Sequence, residues 1–191
     1  MIEDCTALIL AGGDSRRMGQ DKAALVLDGK TLLERVTATM QQVFPKVIVS
    51  GRQLRAGVDV PQVLDEQQAS GPLAGLIAGL AQADTPWVFA VACDMPFVTQ
   101  AVVTRLASFR GGRQAVVPVV GDYAQPLAAF YATSTLEVMR ATLAEGDRSL
   151  RGVLQKLEVR YVDEAELRDA DPRLRSFFDL DTPQDFQDAQ K

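Results

Sequence analysis

The chain contains no histidine among its 191 residues. That one absence excludes imidazole general bases, Ser-His-Asp triads and histidine-rich zinc sites. Cysteine is nearly missing too. Cys5 and Cys93 each sit in an apolar, strand-like run without CxxC spacing. They read as small buried hydrophobes in a reducing compartment, and no disulfide framework is expected. No apolar run approaches the ~20 residues of a membrane-spanning helix. A basic excess is lacking as well. The net charge of −5 disfavours a nucleic-acid partner, because binding that backbone requires a basic face. The opening residues Met1-Ile2-Glu3-Asp4 are acidic. A secretory signal would be basic there, so the expected location is the cytoplasm. Carboxylates, Lys, Arg, hydroxyls, backbone amides and borrowed metal ions are left for chemistry. That set suits phosphoryl and nucleotidyl transfer, where positioning and charge neutralisation dominate.

The length suits one domain, residues 1–191, with a sizeable core. Short apolar runs alternate with helical spacing along the chain. Strands are predicted at Cys5–Ala11, Lys46–Ser50, Gln62–Leu64, Trp87–Ala92, Gln114–Val120, Pro126–Tyr131 and Val159–Val162. Helices are predicted at Thr31–Phe44, Pro72–Ala83, Thr99–Phe109, Leu136–Ala144 and Leu150–Leu157, with a short C-terminal helix after Thr182-Pro183. This alternation predicts βαβ units, a mostly parallel central sheet and a three-layer α/β fold. In such sheets ligands bind beyond the carboxyl ends of strands, near the switch in strand order.

The most informative segment is Leu8 to Lys22, LILAGGDSRRMGQDK. It reads as a buried strand running into a glycine-rich loop. Glycines let backbone N–H groups approach a ligand, and cations neutralise its oxygens. A lone Gly-Gly pair is a surface turn. Here Gly12, Gly13 and Gly19 flank Ser15, Arg16 and Arg17, and Lys22 follows, which points to a phosphate cradle. Neither the GxxxxGK[ST] loop nor the GxGxxG fingerprint is present. Asp94 directly follows the apolar WVFAVA run. A carboxylate so placed is costly unless paired or metal-bound. Magnesium takes one or two protein carboxylates together with phosphate oxygens and waters. At Ser70-Gly71-Pro72-Leu73-Ala74-Gly75, Gly71 allows close approach, and the helix that Pro72 starts favours anions at its N-terminus. Asp65, Arg148, Asp179 and Asp181 read on spacing alone as caps or solvated charges.

Leu10 to Lys22 resembles the signature of the molybdenum cofactor guanylyltransferases, the MobA family. The likeness continues through Leu32-Leu33-Glu34-Arg35-Val36, Gly71–Gly75, Cys93-Asp94-Met95-Pro96, Gln125-Pro126-Leu127 and Asp181-Thr182-Pro183. It implies a Rossmann-like nucleotidyltransferase fold that binds GTP with Mg²⁺, joins GMP to the terminal phosphate of molybdopterin, or its Mo-bound form, and releases pyrophosphate. On that resemblance Leu10, Ala11, Gly12, Gly13, Ser15, Ser50, Asp65 and Gly71 would hold the nucleotide. Lys22 and Arg17 would meet its phosphates, and Asp94 would bind Mg²⁺. Gln125, Arg148, Asp179 and Asp181 would lie on the molybdopterin side. Related cytidylyltransferases carry Ala at the position of Gly12, so Gly12 implies guanine. Sugar-phosphate nucleotidyltransferases usually have Pro before the motif lysine, where Asp21 stands here. Two departures concern Ser50, where the family often has Asn, and Asp179 and Asp181, where it usually has an Asn-x-Asn pair. Acceptor molybdoenzymes and a helper GTP-binding protein are the protein partners the resemblance raises. Two other readings stay open: a cytidylyltransferase or other transferase with a phosphorylated acceptor, and an inactive GTP-binding module.

Overall fold

The structure, a computed structural model, describes residues 1–12, 21–65 and 71–189. Strand β1 (Cys5–Leu10) leads to a small hairpin, β2 (Val26–Leu27) and β3 (Lys30–Thr31), then α1 (Leu32–Val43), β4 (Lys46–Gly51) and β5 (Gln62–Leu64). Helix α2 (Pro72–Gln82), β6 (Trp87–Ala92), α3 (Gln100–Ala107), β7 (Ala115–Val120), β8 (Tyr123–Ala124) and β9 (Ala128–Ala132) follow. The chain continues through α4 (Leu136–Ala144), α5 (Leu150–Leu154), β10 (Val159–Val162), α6 (Glu164–Leu167) and α7 (Pro183–Ala189). Among the described residues no helix is long and apolar enough to cross a membrane.

The main sheet runs in the order β10-β7-β9-β6-β1-β4-β5, with β8 paired to β7. Its pairs are parallel except where β9 meets β6 and β7 and where β8 meets β7. The reversal of β9 follows from chain length. A parallel return needs a crossover of about a dozen residues, and the connection from Val120 to Ala128 is shorter than that. The chain goes from β1 outward to β4 and β5, then returns to the other side of β1 as β6. The switch in strand order therefore lies between β1 and β6. Their last residues, Leu10 and Ala92, are register partners, so both strands deliver the chain to the same edge.

Strand β1 is buried along its whole length, and its alternate side chains feed two layers. Cys5, Ala7 and Ile9 join Val36 and Met40 of α1 and Val102 and Leu106 of α3. Leu8 and Leu10 join Leu73, Leu76 and Leu80 of α2, Met139 of α4 and Val153 of α5. The helices start where the sequence offers caps. The Thr31 hydroxyl accepts from Glu34 N–H, and Glu34 answers at Thr31, closing a capping box on α1. Thr99 caps α3 and Ser149 caps α5.

Three local differences from the sequence reading have physical causes. The β2–β3 hairpin turns on Asp28 and Gly29, both at positive φ, a two-residue Asp-Gly turn whose flanking strands are too short to show alternation. Helix α6 carries its own capping box between Asp163 and Glu166. Helix α5 stops at Leu154 and not Leu157, because Gln114 claims the next segment for the sheet. Its backbone N–H donates to Glu158 O at 2.9 Å, and its side chain accepts from Glu158 N–H at 2.9 Å.

Helix α2 reaches the sheet through Gly79. A Cβ there would stand 2.2 Å from Cδ2 of the buried Leu8. Gly79→Ala is expected to cost about 1–3 kcal/mol of stability through overpacking. Urea unfolding measures this, with Gly111→Ala as the neutral control, since nothing lies within 4 Å of its added Cβ.

Candidate active site

A cleft of about 750 Å³ opens at the carboxyl edge of the sheet, over the switch between β1 and β6. Its size falls in the range of small-molecule sites. The residues leaving β1, Ala11 and Gly12, form part of its floor, and those leaving β6, Cys93 and Asp94, form the rest. Backbone bonds lock this floor together. Ala11 N–H donates to Ser50 O at 2.8 Å, and Cys93 N–H donates to Leu10 O at 3.1 Å.

One wall is built by β4, β5 and α2. Ser50, Arg52, Asp65, Gly71, Pro72 and Gly75 line it. Gly71, at φ 108° and ψ 176°, begins α2 in a conformation that a side chain would strain. Gly75 is bare for a second reason. A Cβ would lie 2.7 Å from Ser50 Oγ and 3.3 Å from Asp65 Oδ1. Asp65 Oδ1 is buried and finds no hydrogen-bond partner among the described residues, so this wall offers an unused acceptor. Burial pushes the Asp65 carboxyl up from its ordinary value, against the lowering pull of the Arg52 charge and a hydrogen bond from Ser50. Gly12 faces the same group: a Cβ on it would come within 3.0 Å of Asp65 Oδ2.

The opposite side carries the charges. Lys22 opens a short 3-10 turn, Lys22–Ala24, that Asp21 caps. Its Nζ donates to Asp94 Oδ2 at 2.8 Å and also to Asp181 Oδ1. Burial alone would lower the Lys22 pKa, but the hydrogen bonds it donates to Asp181 and Asp94 prevail and raise it, so Lys22 stays charged. The segment 179–181 is pinned over Asp94 by Leu180 N–H, which donates to Asp94 O at 2.9 Å. Burial raises the Asp179 pKa, and the negative charges of Asp94 and Asp181 add to the shift. Gln125, Pro126 and Leu127 line the third side with Tyr123. The buried Tyr131 hydroxyl holds that turn by donating to Pro126 O at 2.8 Å.

The cleft thus gathers Leu10, Ala11, Gly12, Lys22, Ser50, Asp65, Gly71, Asp94, Gln125, Asp179 and Asp181. Gly13, Ser15 and Arg17 lie outside the described residues. Arg148 stands apart from the residues the cleft gathers. It is exposed and does not line the cleft, because it belongs to the turn that starts α5. There Asp147 accepts from Ser149 N–H at 2.8 Å. Sequence reasoning did not single out Arg52 or Tyr123, and gave Gly75 no role of its own. Arg52 carries no motif, and Tyr123 sits on a strand too short for periodicity. Gly75 was visible only as part of the Gly71–Gly75 match. Both cysteines are free and buried, and burial pushes the Cys93 thiol up to about 12.

Among the described residues no three acidic, cysteine or histidine side chains form a metal-holding group. A smaller donor set does fit magnesium. Asp94 and Asp181 both bond one ammonium, so two carboxylates face a common point that already holds positive charge. Magnesium asks for one or two such carboxylates, with phosphate and water completing its shell.

A family model described as the MobA-like NTP transferase domain matches residues 7–162. The chain is 37% identical to a molybdenum cofactor guanylyltransferase of Desulfosudis oleivorans, covering 99% of this chain and 96% of that protein. It is 35% identical to a probable molybdenum cofactor guanylyltransferase of Pelotomaculum thermopropionicum, over 96% and 91%. The crystal structure of molybdopterin-guanine dinucleotide biosynthesis protein A from Archaeoglobus fulgidus superposes with a TM-score of 0.87 at 30% identity, covering 97% and 96% of the two chains. A cytidylyltransferase from Thermus thermophilus shares the fold at a TM-score of 0.73 and 22% identity.

Asp65 gives a pH-dependent signature. Its folded pKa is raised, so the fold penalises the ionised form, and the penalty vanishes once the pH falls below the ordinary value of 3.8. Asp65→Asn is therefore expected to melt above the native protein at about pH 7, with the gap narrowing toward about pH 4. Calorimetry across that range reads the difference. A gap that widens in acid contradicts the buried-carboxylate account.

Proposed function

The chain belongs to the MobA-like NTP transferase family, and from that premise we propose that it transfers GMP from GTP to the terminal phosphate of molybdopterin, or of its Mo-bound form, and releases pyrophosphate. The observation that carries this reading is the meeting of Lys22 with Asp94 at the switch between β1 and β6, facing a wall where Asp65 offers an acceptor with no partner among the described residues. One side of the cleft is suited to phosphates and the other to a nucleoside.

The reaction needs little covalent chemistry from the protein. A phosphate oxygen of the acceptor attacks the α-phosphorus of GTP in line, a P–O bond forms, and the bond from the α-phosphorus to the bridging oxygen breaks. The nucleophile is already an anion, so no general base is required, in keeping with a chain that has no histidine. Asp94, with Asp181 beside it, would hold Mg²⁺, which would offset charge on the phosphate oxygens. Lys22 neutralises the charge that grows on the departing pyrophosphate. The N-terminus of α2, opened by Gly71 and Pro72, favours negative or polar ligand edges. Asp65 accepts from the nucleoside, and Gly12 leaves the carboxylate the room that an alanine would fill. Gln125, Asp179 and Asp181 face the acceptor. Two carboxylates beside an anionic pterin are tolerable where a cation lies between, and Lys22 bonds Asp181 in this way.

The decisive assay incubates the protein with molybdopterin, Mg²⁺ and GTP, CTP or ATP in turn, and identifies the dinucleotide by mass. GTP is the expected substrate. Preference for CTP would overturn the guanine reading, and tight GTP binding without pyrophosphate release would favour an inactive binding module. Lys22→Ala and Asp94→Ala are each expected to lower turnover by about a hundred- to thousandfold, the usual loss for one preorganised charge contact. Gly12→Ala is expected to weaken selection of GTP over CTP, measured as the ratio of their kcat/KM values.

A further inference from the structure

We propose that Arg55 is a positioning residue that ties together the two ends of the glycine-rich segment and so sets where Lys22 stands; the inference rests on the nucleotidyltransferase reading for its effect on turnover. Arg55 lies in the connection between β4 and β5 and does not line the cleft. Its guanidinium nevertheless reaches both flanks of the segment that the sequence marks as the phosphate cradle. Nη2 donates to Ala11 O at 2.8 Å, on the side where β1 ends. Nη2 also donates to Asp21 Oδ1 at 3.0 Å, and Nη1 donates to Asp21 Oδ2. A planar fork matched to a carboxylate and a carbonyl is a geometry that only arginine provides.

The contact is passed on to Lys22 through Asp21. The Asp21 carboxylate that grips Arg55 also accepts from Ala23 N–H at 3.1 Å, and this caps the turn that carries Lys22. The fork therefore restrains the residue directly before Lys22 and the residue directly before Gly12. Fixing the ends of a loop removes states it would otherwise sample. In a site that works by positioning, that restraint affects the rate.

Arg55 is itself held. Its backbone N–H donates to Gln62 Oε1 at 2.8 Å, and its carbonyl accepts from Gln62 Nε2 at 2.9 Å. Gln62 is a register partner of Val49 in the sheet. The restraint thus runs from the β4–β5 pair through Gln62 and Arg55 to both loop ends. A surface ion pair would add little, but the Arg55 side chain is only 17% exposed. Its Nε is buried and finds no partner among the described residues. Burying a charged group with one donor unsatisfied is unfavourable, and the stability of a surface loop does not account for it. Placement of the loop ends does.

The test compares Arg55→Ala and Arg55→Lys with the native protein by amide hydrogen exchange and by steady-state kinetics with GTP. The reporting amides are Ala23, Ala24 and Leu25, which bond to Asp21 Oδ1, Asp21 O and Lys22 O. In Arg55→Ala these are expected to exchange about tenfold faster or more, while the amides of Val88 to Val91 in β6 keep their protection. kcat/KM for GTP is expected to fall about a hundredfold, mainly through KM, with lysine restoring only a small part because it lacks the fork. Unchanged exchange at residues 23–25 overturns the proposal. So does faster exchange throughout β6, which would make Arg55 a general stability residue. A native protein that releases no pyrophosphate from GTP in the presence of Mg²⁺ and molybdopterin would sink the functional reading, while the exchange result still decides whether Arg55 holds the loop ends.

Discussion

Lys22 and Asp94 are opposite charges 2.8 Å apart at the edge where β1 and β6 end, with side chains only 15% and 18% exposed. Neither is easily left alone at that depth, because an unpaired charge in a poorly hydrated place is strongly disfavoured. The pair can form because two parallel strands that lie side by side end in register. It also draws in the C-terminal segment through Asp181. Residues from the beginning, middle and end of the chain are thus held at one point by charge. The same point is where a phosphate-bearing ligand and its counter-ion are expected, so the element that organises the cleft is also the element suited to its chemistry.

Helix α2 shows how packing and site share one surface. Gly75 and Gly79 are four residues apart and lie on one face of the helix. Gly79 lets the helix settle onto Leu8 in the core, and Gly75 leaves space beside Ser50 and Asp65 in the cleft. A helix seated farther from the sheet would carry Gly71 and its N-terminus away from the site. Close packing at one end of the strip therefore sets the shape of the cleft wall at the other. Asp65 shows the complementary effect. Closing this wall around a carboxylate raises its pKa and leaves one oxygen without a partner among the described residues, a cost that a donor on a ligand can relieve.

Much of the architecture was legible along the chain. Runs such as WVFAVA and CTALIL carry enough apolar length to be read as buried strands, and the apolar spacing within Thr31–Phe44 marks a helix. The elements that escaped notice are short. Strands β2, β3 and β8 have two residues each and α6 has four, too few for any periodicity to emerge. The antiparallel setting of β9 could have been inferred from its short connection. The end of α5 could not, since it depends on Gln114, which is distant in sequence. In the site, Lys22 and Asp94 stood out through motif and position, and Asp65 only through the family resemblance. Arg52, Arg55 and Tyr123 did not, because each belongs to a loop or a minimal strand and its role comes from what the fold places against it.

The amino-acid sequence by itself determined the alternation of strands and helices, the layered α/β class, the glycine-rich segment after the first strand and the carboxylate after the sixth. Each of these depends on local properties: the period of apolar residues, the conformational freedom of glycine, the capping power of a hydroxyl. Only the tertiary structure decided that β1 and β6 are neighbours, that Lys22 bonds Asp94 and Asp181 together, that Arg148 stays outside the cleft and that Arg55 links Ala11 to Asp21. Those pairings join residues far apart along the chain. Their geometry is set by sheet order and by the need to compensate partly buried charge, and no local pattern encodes either.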